Sequence, residues 1–503
     1  MSNLKFFKKN VNWLWLMGSI LGSGLCWYFG NGLTGDYWFL VWIAPIPVLF
    51  IAVYHTYQIS YWAAFGAYLL GRLSWFSYLQ TVTTTGLAIL IVLGLTLAFV
   101  CIVTETRRVV LSSSAWYTAF AYPAFFTAFE YLLFNFSHDG TATSLAYSQA
   151  NVLPLVQIAS VAGLLGITFL VSLLPSAVAV GWRMYRCNSA GLAYLAASVI
   201  VLTVSAFMYG IHRIGQPPAP ESVTVGLVTL NQGVHHRPAQ ATLPQVKWVT
   251  AQYVEEIDRL AKKGAAVVVL TEGALRLNGP VYAPMVSYLG EVARRNRVYL
   301  IVGCTTTQDS LARNAALVFD PAGLMVANYN KVHLVRGFED AFTPGHQLGV
   351  FLLNTLSAGV AICKDLDFPQ YIRQYGHRHT RILFIPANDF VVDDWLHSRM
   401  AILRSVENGV SLVRAARHGR LTISDYTGRV CFEASTANGQ KTTLLGSVPL
   451  TYANTFYTKT GDWLGIGCLI LSVVFVLLSR KQTQESGVFR DKRDSTLTGT
   501  RFS

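Results

Sequence analysis

The chain has 503 residues, of which 52% are hydrophobic and only 13% charged, where an ordinary soluble domain carries about 25% charged residues. Mean hydropathy is +0.40, so the composition excludes a disordered chain and a simple water-soluble globule and places part of the chain in lipid. The 39 Lys and Arg exceed the 26 Asp and Glu, for a net charge of +13. No stretch interleaves basic and aromatic residues as a nucleic-acid groove does, so the excess reads as membrane anchoring and contact with anionic headgroups. Seven cysteines without a CxxC pair argue against a disulfide framework or a zinc ribbon.

A helix needs about 20 apolar residues to cross the hydrocarbon core. Seven such stretches precede residue 215: 11–30, 37–54, 61–80, 86–105, 115–134, 154–182 and 190–210; an eighth runs over 463–479. Lys5, Lys8 and Lys9 precede the first, Arg107 and Arg108 follow the fourth, Arg183 and Arg186 the sixth, and Arg480 and Lys481 the eighth. The loops on the other side carry no Lys or Arg, so the positive-inside rule puts both termini in the cytoplasm and residues 216–455 outside it. The first stretch is too long for a signal-peptide core and lacks an A-x-A-like site, so it reads as a retained helix. Glu130 reads either as an interfacial residue or as a polar contact beneath an external site, and Arg72 as a residue that snorkels to the interface. The expected organisation is a seven-helix transmembrane domain over 1–215, a water-exposed domain over 216–455, an eighth transmembrane helix over 456–482 and a cytoplasmic basic tail over 483–503, with the polar stretch 480–503 expected to be disordered.

Past the linker Gly215-Gln216-Pro217-Pro218-Ala219-Pro220 the pattern changes. Strands are expected at 223–230, 265–270, 298–303, 315–319, 324–330, 358–362, 381–386 and 410–415, with helices at 246–263, 283–295 and 395–408. The run Ala265-Ala266-Val267-Val268-Val269-Leu270 is continuously apolar, as in a strand buried on both faces. Asp320-Pro321-Ala322-Gly323 marks a turn between two strands. Strands alternating with helices argue for an α/β domain with a mixed sheet.

In α/β folds functional groups gather at the carboxyl ends of strands. Glu272, Lys331 and Cys363 each stand just past such an end. A thiol of pKa ~8.5 is mostly protonated at neutral pH and a nearby cation lowers that value, so Lys331 is expected to favour the thiolate and later an oxyanion. Glu272 would accept the thiol proton and return it to a leaving group; Cys363 would attack a carbonyl and hold the acyl group as a thioester. The backbone N–H of Lys364 would be a second oxyanion donor. Taken singly, each has a plain structural role: a small buried thiol, a turn carboxylate, a solvated amine. His377-Arg378-His379 offers too few ligands for a metal site, and the pattern implies no metal and no cofactor. Arg399, Arg404, Arg414, Arg417 and Arg420 read as a solvated face or as a contact with phospholipid headgroups, and Asn388 or Arg417 as residues that line the cleft.

The trio Glu272, Lys331 and Cys363 resembles the Glu-Lys-Cys triad of the nitrilase (carbon–nitrogen hydrolase) superfamily. With seven spans before the domain and one after, the chain resembles one branch of it, the bacterial apolipoprotein N-acyltransferases. The likeness extends to Phe129-Glu130-Tyr131, Leu145-Ala146-Tyr147-Ser148-Gln149, Gly166-Ile167-Thr168-Phe169-Leu170, Asn231-Gln232, Tyr329-Asn330-Lys331-Val332-His333-Leu334-Val335, Asn388-Asp389 and Thr455 to Trp463. It implies eight membrane helices and an extracytoplasmic nitrilase-like αββα sandwich in the bacterial inner membrane. It also implies transfer of a fatty acyl chain from a phospholipid, through a Cys363 thioester, to the amine of a diacylated lipoprotein. Glu339 matches the family's second glutamate, and Asp365 stands where the family has a glutamate two residues after the nucleophile. The chain departs from the pattern at Cys363-Lys364-Asp365, where the family has Cys-Tyr-Glu, at Arg336-Gly337-Phe338-Glu339, and at Phe390-Val391-Val392-Asp393-Asp394 after Asn388-Asp389. Two other functions remain open: a membrane-tethered nitrilase-type amidase or acyltransferase with a different amine or amide substrate, and a non-enzymatic membrane binding protein of the same fold.

Overall fold

The computed structural model describes residues 12–231, 242–308 and 311–498, with side chains as far as Lys481. Lys5, Lys8, Lys9 and Gln232 lie outside the described residues. The chain forms two compact units. One takes the described residues of Met1–Asn135, Leu165–Phe207 and Asp462–Ser503; the other takes those of Phe136–Leu164 and Met208–Gly461.

Apolar helices build the first unit. In chain order the helices up to the linker are α1 (Trp13–Gly30), α2 (Pro45–Tyr54), α3 (Tyr57–Arg72), α4 (Phe76–Val82), α5 (Thr85–Ser112), α6 (Ala121–Phe136), α7 (Leu153–Val156), α8 (Ala159–Arg186) and α9 (Gly191–Ile214). Among the described residues four helices are long and apolar enough to cross a membrane: α5, α8, α9 and the segment Trp463–Lys481. This corrects the eight predicted spans. The other four are helical but short, broken or diluted. α1 spends seven of its 18 residues on Trp and Gly. The predicted 37–54 span divides into a 3-10 turn over Trp38–Trp42 and a helix that starts at Pro45, because proline suits a first helical turn and not an interior one. The 61–80 and 115–134 spans divide likewise at the 3-10 turns Leu73–Trp75 and Trp116–Phe120.

Inside this unit Tyr68 stacks on Phe99 at 4.2 Å and Trp27 meets Tyr68 edge-on at 5.2 Å. Arg72 is buried and donates to the Tyr68 hydroxyl at 2.6 Å instead of snorkelling. Glu130 is also buried, not interfacial, and accepts a bond from Thr168 at 2.6 Å.

Among the described residues thirteen strands carry the second unit: β1 (Ser222–Thr229), β2 (Val267–Leu270), β3 (Leu275–Asn278), β4 (Tyr299–Gln308), β5 (Leu311–Phe319), β6 (Met325–Asn330), β7 (Gly349–Leu353), β8 (Leu356–Val360), β9 (Ile382–Asn388), β10 (Ser411–Arg417), β11 (Arg420–Ser424), β12 (Val430–Ser435) and β13 (Thr442–Pro449). One sheet runs β13-β1-β2-β4-β5-β6, with β3 beside β4; the other runs β12-β11-β10-β9-β8-β7. β1, β2 and β4 are mutually parallel, as are β8, β9 and β10; β4-β5-β6, β7-β8 and β10-β11-β12 form antiparallel hairpins, β13 pairs antiparallel with the distant β1, and β3 lies parallel to β4. The helices are α10 (Leu243–Lys262), α11 (Tyr282–Asn296), α12 (Pro369–His377) and α13 (Asp394–Asn408). α14 (Phe456–Thr460) and α15 (Trp463–Thr498) close the chain; α15 continues as helix through most of the tail expected to be disordered.

Successive residues of a strand face opposite sides. Val268 and Leu270 of β2 therefore join a core with Tyr253 and Ile257 of α10 and Met285 and Leu289 of α11. Val267 and Val269 join another core with Phe351, Val360, Ile382, Phe384 and Val413 of the second sheet. On the far face of that sheet Leu383, Ile385 and Leu412 meet Ile372 and Tyr375 of α12 and Ala401 and Ile402 of α13. The apolar run at 265–270 is continuous because both faces of β2 are covered.

The arginines read as a solvated face are mostly internal. Arg404 is fully buried against Glu407 at 3.1 Å and Arg414 against Asp389, while Arg399 and Arg420 share Glu433.

Gly303 of β4 passes directly under the turn that carries Glu272. A methyl group at 303 would overlap the Thr271 carbonyl oxygen and lie 2.8 Å from the Glu272 Cα. Overpacking of this kind costs about 1–3 kcal/mol. Gly303→Ala is therefore expected to lower the unfolding midpoint of the purified protein by about 2–10 °C in a thermal melt.

Candidate active site

Three strand ends deliver three side chains. Thr271 and Glu272 follow β2, Lys331 follows β6, and Cys363 follows β8 by way of Ala361 and Ile362. Lys331 is almost wholly buried, with 1% of its side chain exposed. Its Nζ donates to Glu272 Oε1 at 2.8 Å and to Glu339 Oε2 at 2.8 Å. Asn314 of β5 ties the two carboxylates together, since its Nδ2 donates to Glu272 Oε1 at 2.6 Å and also to Glu339 Oε1. The Lys331 backbone N–H is held by the Asn314 carbonyl at 2.8 Å, and Glu339 Oε2 also accepts from the Val335 N–H at 2.7 Å. Burial alone would lower the Lys331 ammonium, but Glu272, Cys363 and Glu339 outweigh it and hold the group charged. Burial raises Glu272, an effect that Lys331 opposes and Glu339 reinforces.

Cys363 opens a 3-10 turn over Cys363–Asp367 and takes the left-handed backbone conformation, φ +42°. That geometry costs an L-residue roughly 1–2 kcal/mol. Its Sγ lies 3.7 Å from the Asn388 carbonyl oxygen at the end of β9. The N–H of Lys364 falls in the first turn of the 3-10 helix, where backbone donors lack an intrahelical acceptor. Burial pushes the Cys363 thiol well above its ordinary value, Glu272 and Asp389 add to the rise, and Lys331 and Arg414 counteract it only in part. Lys331 thus acts on the thiol in the expected direction, but burial and Glu272 outweigh it.

Asp365 has a different duty from that of a group facing the reaction. It is wholly buried. Its Oδ1 accepts from the N–H groups of Val332 (3.2 Å) and His333 (2.8 Å), and its Oδ2 from Tyr329 Oη (2.6 Å) and the Ile362 N–H (3.0 Å). One carboxylate thus ties the segment after Lys331 to the turn that bears Cys363. Lys364 points its side chain away to Asp139, at 2.5 Å. Beside it the N–H and the hydroxyl of Thr141 both bond the Asp367 carbonyl at 2.9 Å, and Tyr147 bonds the Thr141 hydroxyl at 2.6 Å. The segment 137–149 therefore packs on the nucleophile turn.

Sequence reasoning did not assign Asn314, Tyr329, Asp389 or Arg414 to the site. Each is polar and sits within a largely apolar strand or just past its end, which is the signal that finds them. Asn388 and Arg417, named as cleft candidates, do meet: Arg417 Nε donates to Asn388 Oδ1 at 3.2 Å.

Residues 224–453 match the family model described as carbon-nitrogen hydrolase, and residues 13–177 match the one described as apolipoprotein N-acyltransferase N-terminal domain. The chain is 28% identical over 380 residues to an apolipoprotein N-acyltransferase of Geobacter metallireducens, covering 67% of this chain and 69% of that one. A Haemophilus ducreyi protein of the same name is 24% identical over 410 residues, covering 74% and 76%. A Pyrococcus abyssi nitrilase is 34% identical over 135 residues, covering 26% and 50%. Among solved structures, an amidase from Nesterenkonia sp. shares 18% identity at a TM-score of 0.41, covering 49% of this chain and 95% of that one. The family matches and the relatives together support an assignment at family level.

A thiol raised above its ordinary value is protonated at neutral pH. The ultraviolet thiolate absorbance of wild type minus that of Cys363→Ser is therefore expected to stay flat up to about pH 8 and to rise only beyond it, where an ordinary thiol titrates near ~8.5. A thiolate step below about pH 7 would contradict the assignment.

Proposed function

We propose that this chain is a membrane N-acyltransferase, a reading supported by its likeness to apolipoprotein N-acyltransferases and to the carbon-nitrogen hydrolase family. On this reading it moves a fatty acyl chain from a phospholipid to the N-terminal amine of a diacylglyceryl-cysteine lipoprotein. The observation that carries the reading is the Lys331 ammonium held between Glu272 and Glu339, acting electrostatically on Cys363, in a chain that also has four membrane-length apolar helices.

In the first half-reaction Cys363 Sγ attacks the ester carbonyl of the phospholipid while Glu272 takes the thiol proton. The ester oxygen leaves as the hydroxyl of a lysophospholipid and receives that proton, and the acyl group stays on sulfur as a thioester. In the second half-reaction the amine of the diacylated cysteine attacks the thioester. Glu272 accepts the ammonium proton and returns it to the thiol as the amide is released. Lys331 and the Lys364 N–H stabilise the oxyanion in both steps. Glu339 and Asn314 keep Glu272 and Lys331 in place, and Asp365 positions the nucleophile turn.

Both substrates carry lipid tails, which accounts for a nitrilase-type domain with membrane helices. Arg183 and Arg186 end α8, and Arg480 and Lys481 follow the apolar part of α15. By the positive-inside rule these ends are cytoplasmic, and the chain leaving α9 at Ile214 and returning at Trp463 is extracytoplasmic. The reading places the protein in a bacterial inner membrane with a catalytic domain over 216–455.

Mixing the purified protein with phospholipid is expected to add one fatty-acyl mass to Cys363 in intact mass spectrometry, and a diacylated lipopeptide is expected to discharge it as an N-acyl product. Cys363→Ala forms no adduct, and Glu272→Gln forms it at least about a hundredfold more slowly. Release of free fatty acid or ammonia, without transfer to the amine, assigns the chain to hydrolysis or amidase chemistry instead.

A further inference from the structure

Arg417 ends β10 directly opposite Asn388 of the parallel neighbour β9. The Asn388 backbone oxygen is the one 3.7 Å from the Cys363 sulfur. The Asn388 side-chain oxygen accepts from Arg417 Nε at 3.2 Å and lies 3.1 Å from His418 Nδ1. Two neighbours on one amide oxygen fix the orientation of Arg417, yet a neutral amide cancels none of its charge.

Six other cations of this unit are each held by a carboxylate. Lys331 is held by Glu272 and Glu339, Lys364 by Asp139, Arg414 by Asp389, Arg404 by Glu407, and Arg399 and Arg420 by Glu433. Among the described residues no carboxylate lies within ion-pair distance of Arg417, and it is half-buried. Burial pulls its guanidinium below the ordinary value; Tyr253 and Glu272 work against that, and the charge of Arg276, on β3 just past the Glu272 turn, adds to it. Glu272 is already engaged by Lys331. Arg417 is thus held by a neutral amide, near a second arginine, at the strand end whose backbone oxygen lies 3.7 Å from the Cys363 sulfur, and this arrangement favours an anion.

We propose that Arg417 is the specificity-determining residue for the phosphate of the acyl donor, and that it binds this phosphate at the cleft beside Cys363. The guanidinium fork matches two phosphate oxygens, and the partial exclusion of water strengthens the pairing. The assignment rests on the acyl-transfer reading above and names the group that recognises its donor.

The test uses the full-length protein in detergent micelles with two acyl donors of equal chain length: a phosphatidylglycerol, and a p-nitrophenyl ester that lacks phosphate. Acylation of Cys363 is followed by intact mass. Arg417→Gln is expected to raise the phosphatidylglycerol concentration for half-maximal rate about tenfold or more, and to lower the efficiency ratio of phospholipid to ester by the same factor. Arg417→Lys recovers part of the loss. Glycerophosphoglycerol, the donor without its chains, competes with phosphatidylglycerol in wild type and less well in Arg417→Gln. Competition by inorganic phosphate alone, with none by the glycerol diester, identifies a free-phosphate site and overturns the donor assignment. An equal loss with both acyl donors assigns Arg417 to positioning through Asn388 and overturns it also, as does no loss with either. If wild type takes the ester and not the phospholipid, the acyl-transfer reading falls and this inference with it.

Discussion

The α/β unit of this molecule is organised around one buried ammonium group. An unpaired charge such as Lys331 is very costly away from water, and breaking a buried pair by removing one partner typically costs about 3–5 kcal/mol. Two carboxylates from different segments, Glu272 and Glu339, meet it at 2.8 Å each, and Asn314 satisfies both. Four positions on β2, β5, β6 and the loop after β6 are thereby committed to one geometry. Two acids and one base leave the cluster with an excess of negative charge, and that excess, with burial, raises the neighbouring thiol. In the proposed reaction Cys363 therefore gives up its proton as the carbonyl is attacked.

Cys363 is held by a second set of bonds that leaves the first one intact. Asp365 joins the segment after Lys331 to the turn of Cys363. From the opposite direction Thr141 and Asp139 fasten residues 137–149 to the same turn through Asp367 and Lys364. Gly140 makes this approach possible, since a side chain there would run into the Asp367 backbone. The segment between α6 and α7 therefore belongs to the α/β unit, although in sequence it lies between apolar helices. Further support comes from Glu407, which accepts from the Leu164 N–H at 3.0 Å, and from Arg213, which bonds Gln157.

Much of the α/β unit was legible because its central strands are apolar on both faces and end in polar residues with nothing else to explain them. Glu272 and Cys363 were found in that way, whereas Lys331 follows β6, an outer strand that the turn at Asp320 to Gly323 delimits. β7, β11, β12 and β13 were not: they are edge or outer strands with mixed polarity, and β13 carries Gly446 and Pro449. The helix count failed for a related reason. Hydropathy sums over a window, whereas Pro45 and the 3-10 turns at Leu73 and Trp116 interrupt hydrogen bonding within it. The thiolate expectation failed because an amine was read without the acids that share it; Glu339 lies eight residues away along the chain, on a loop, and Asn314 on another strand. Ion pairs between distant elements, such as Arg414 with Asp389, leave no local pattern, so buried arginines looked like surface ones.

The dependence of Cys363 acylation on pH bears most directly on a neutral thiol served by Glu272. Single-turnover acylation by a p-nitrophenyl ester should be nearly level between about pH 7 and pH 9, falling only on the acid side where Glu272 gains a proton. A rate that climbs about tenfold with each pH unit across that range would mean that a thiolate must form before attack, and the shared-ammonium account of the site would be wrong.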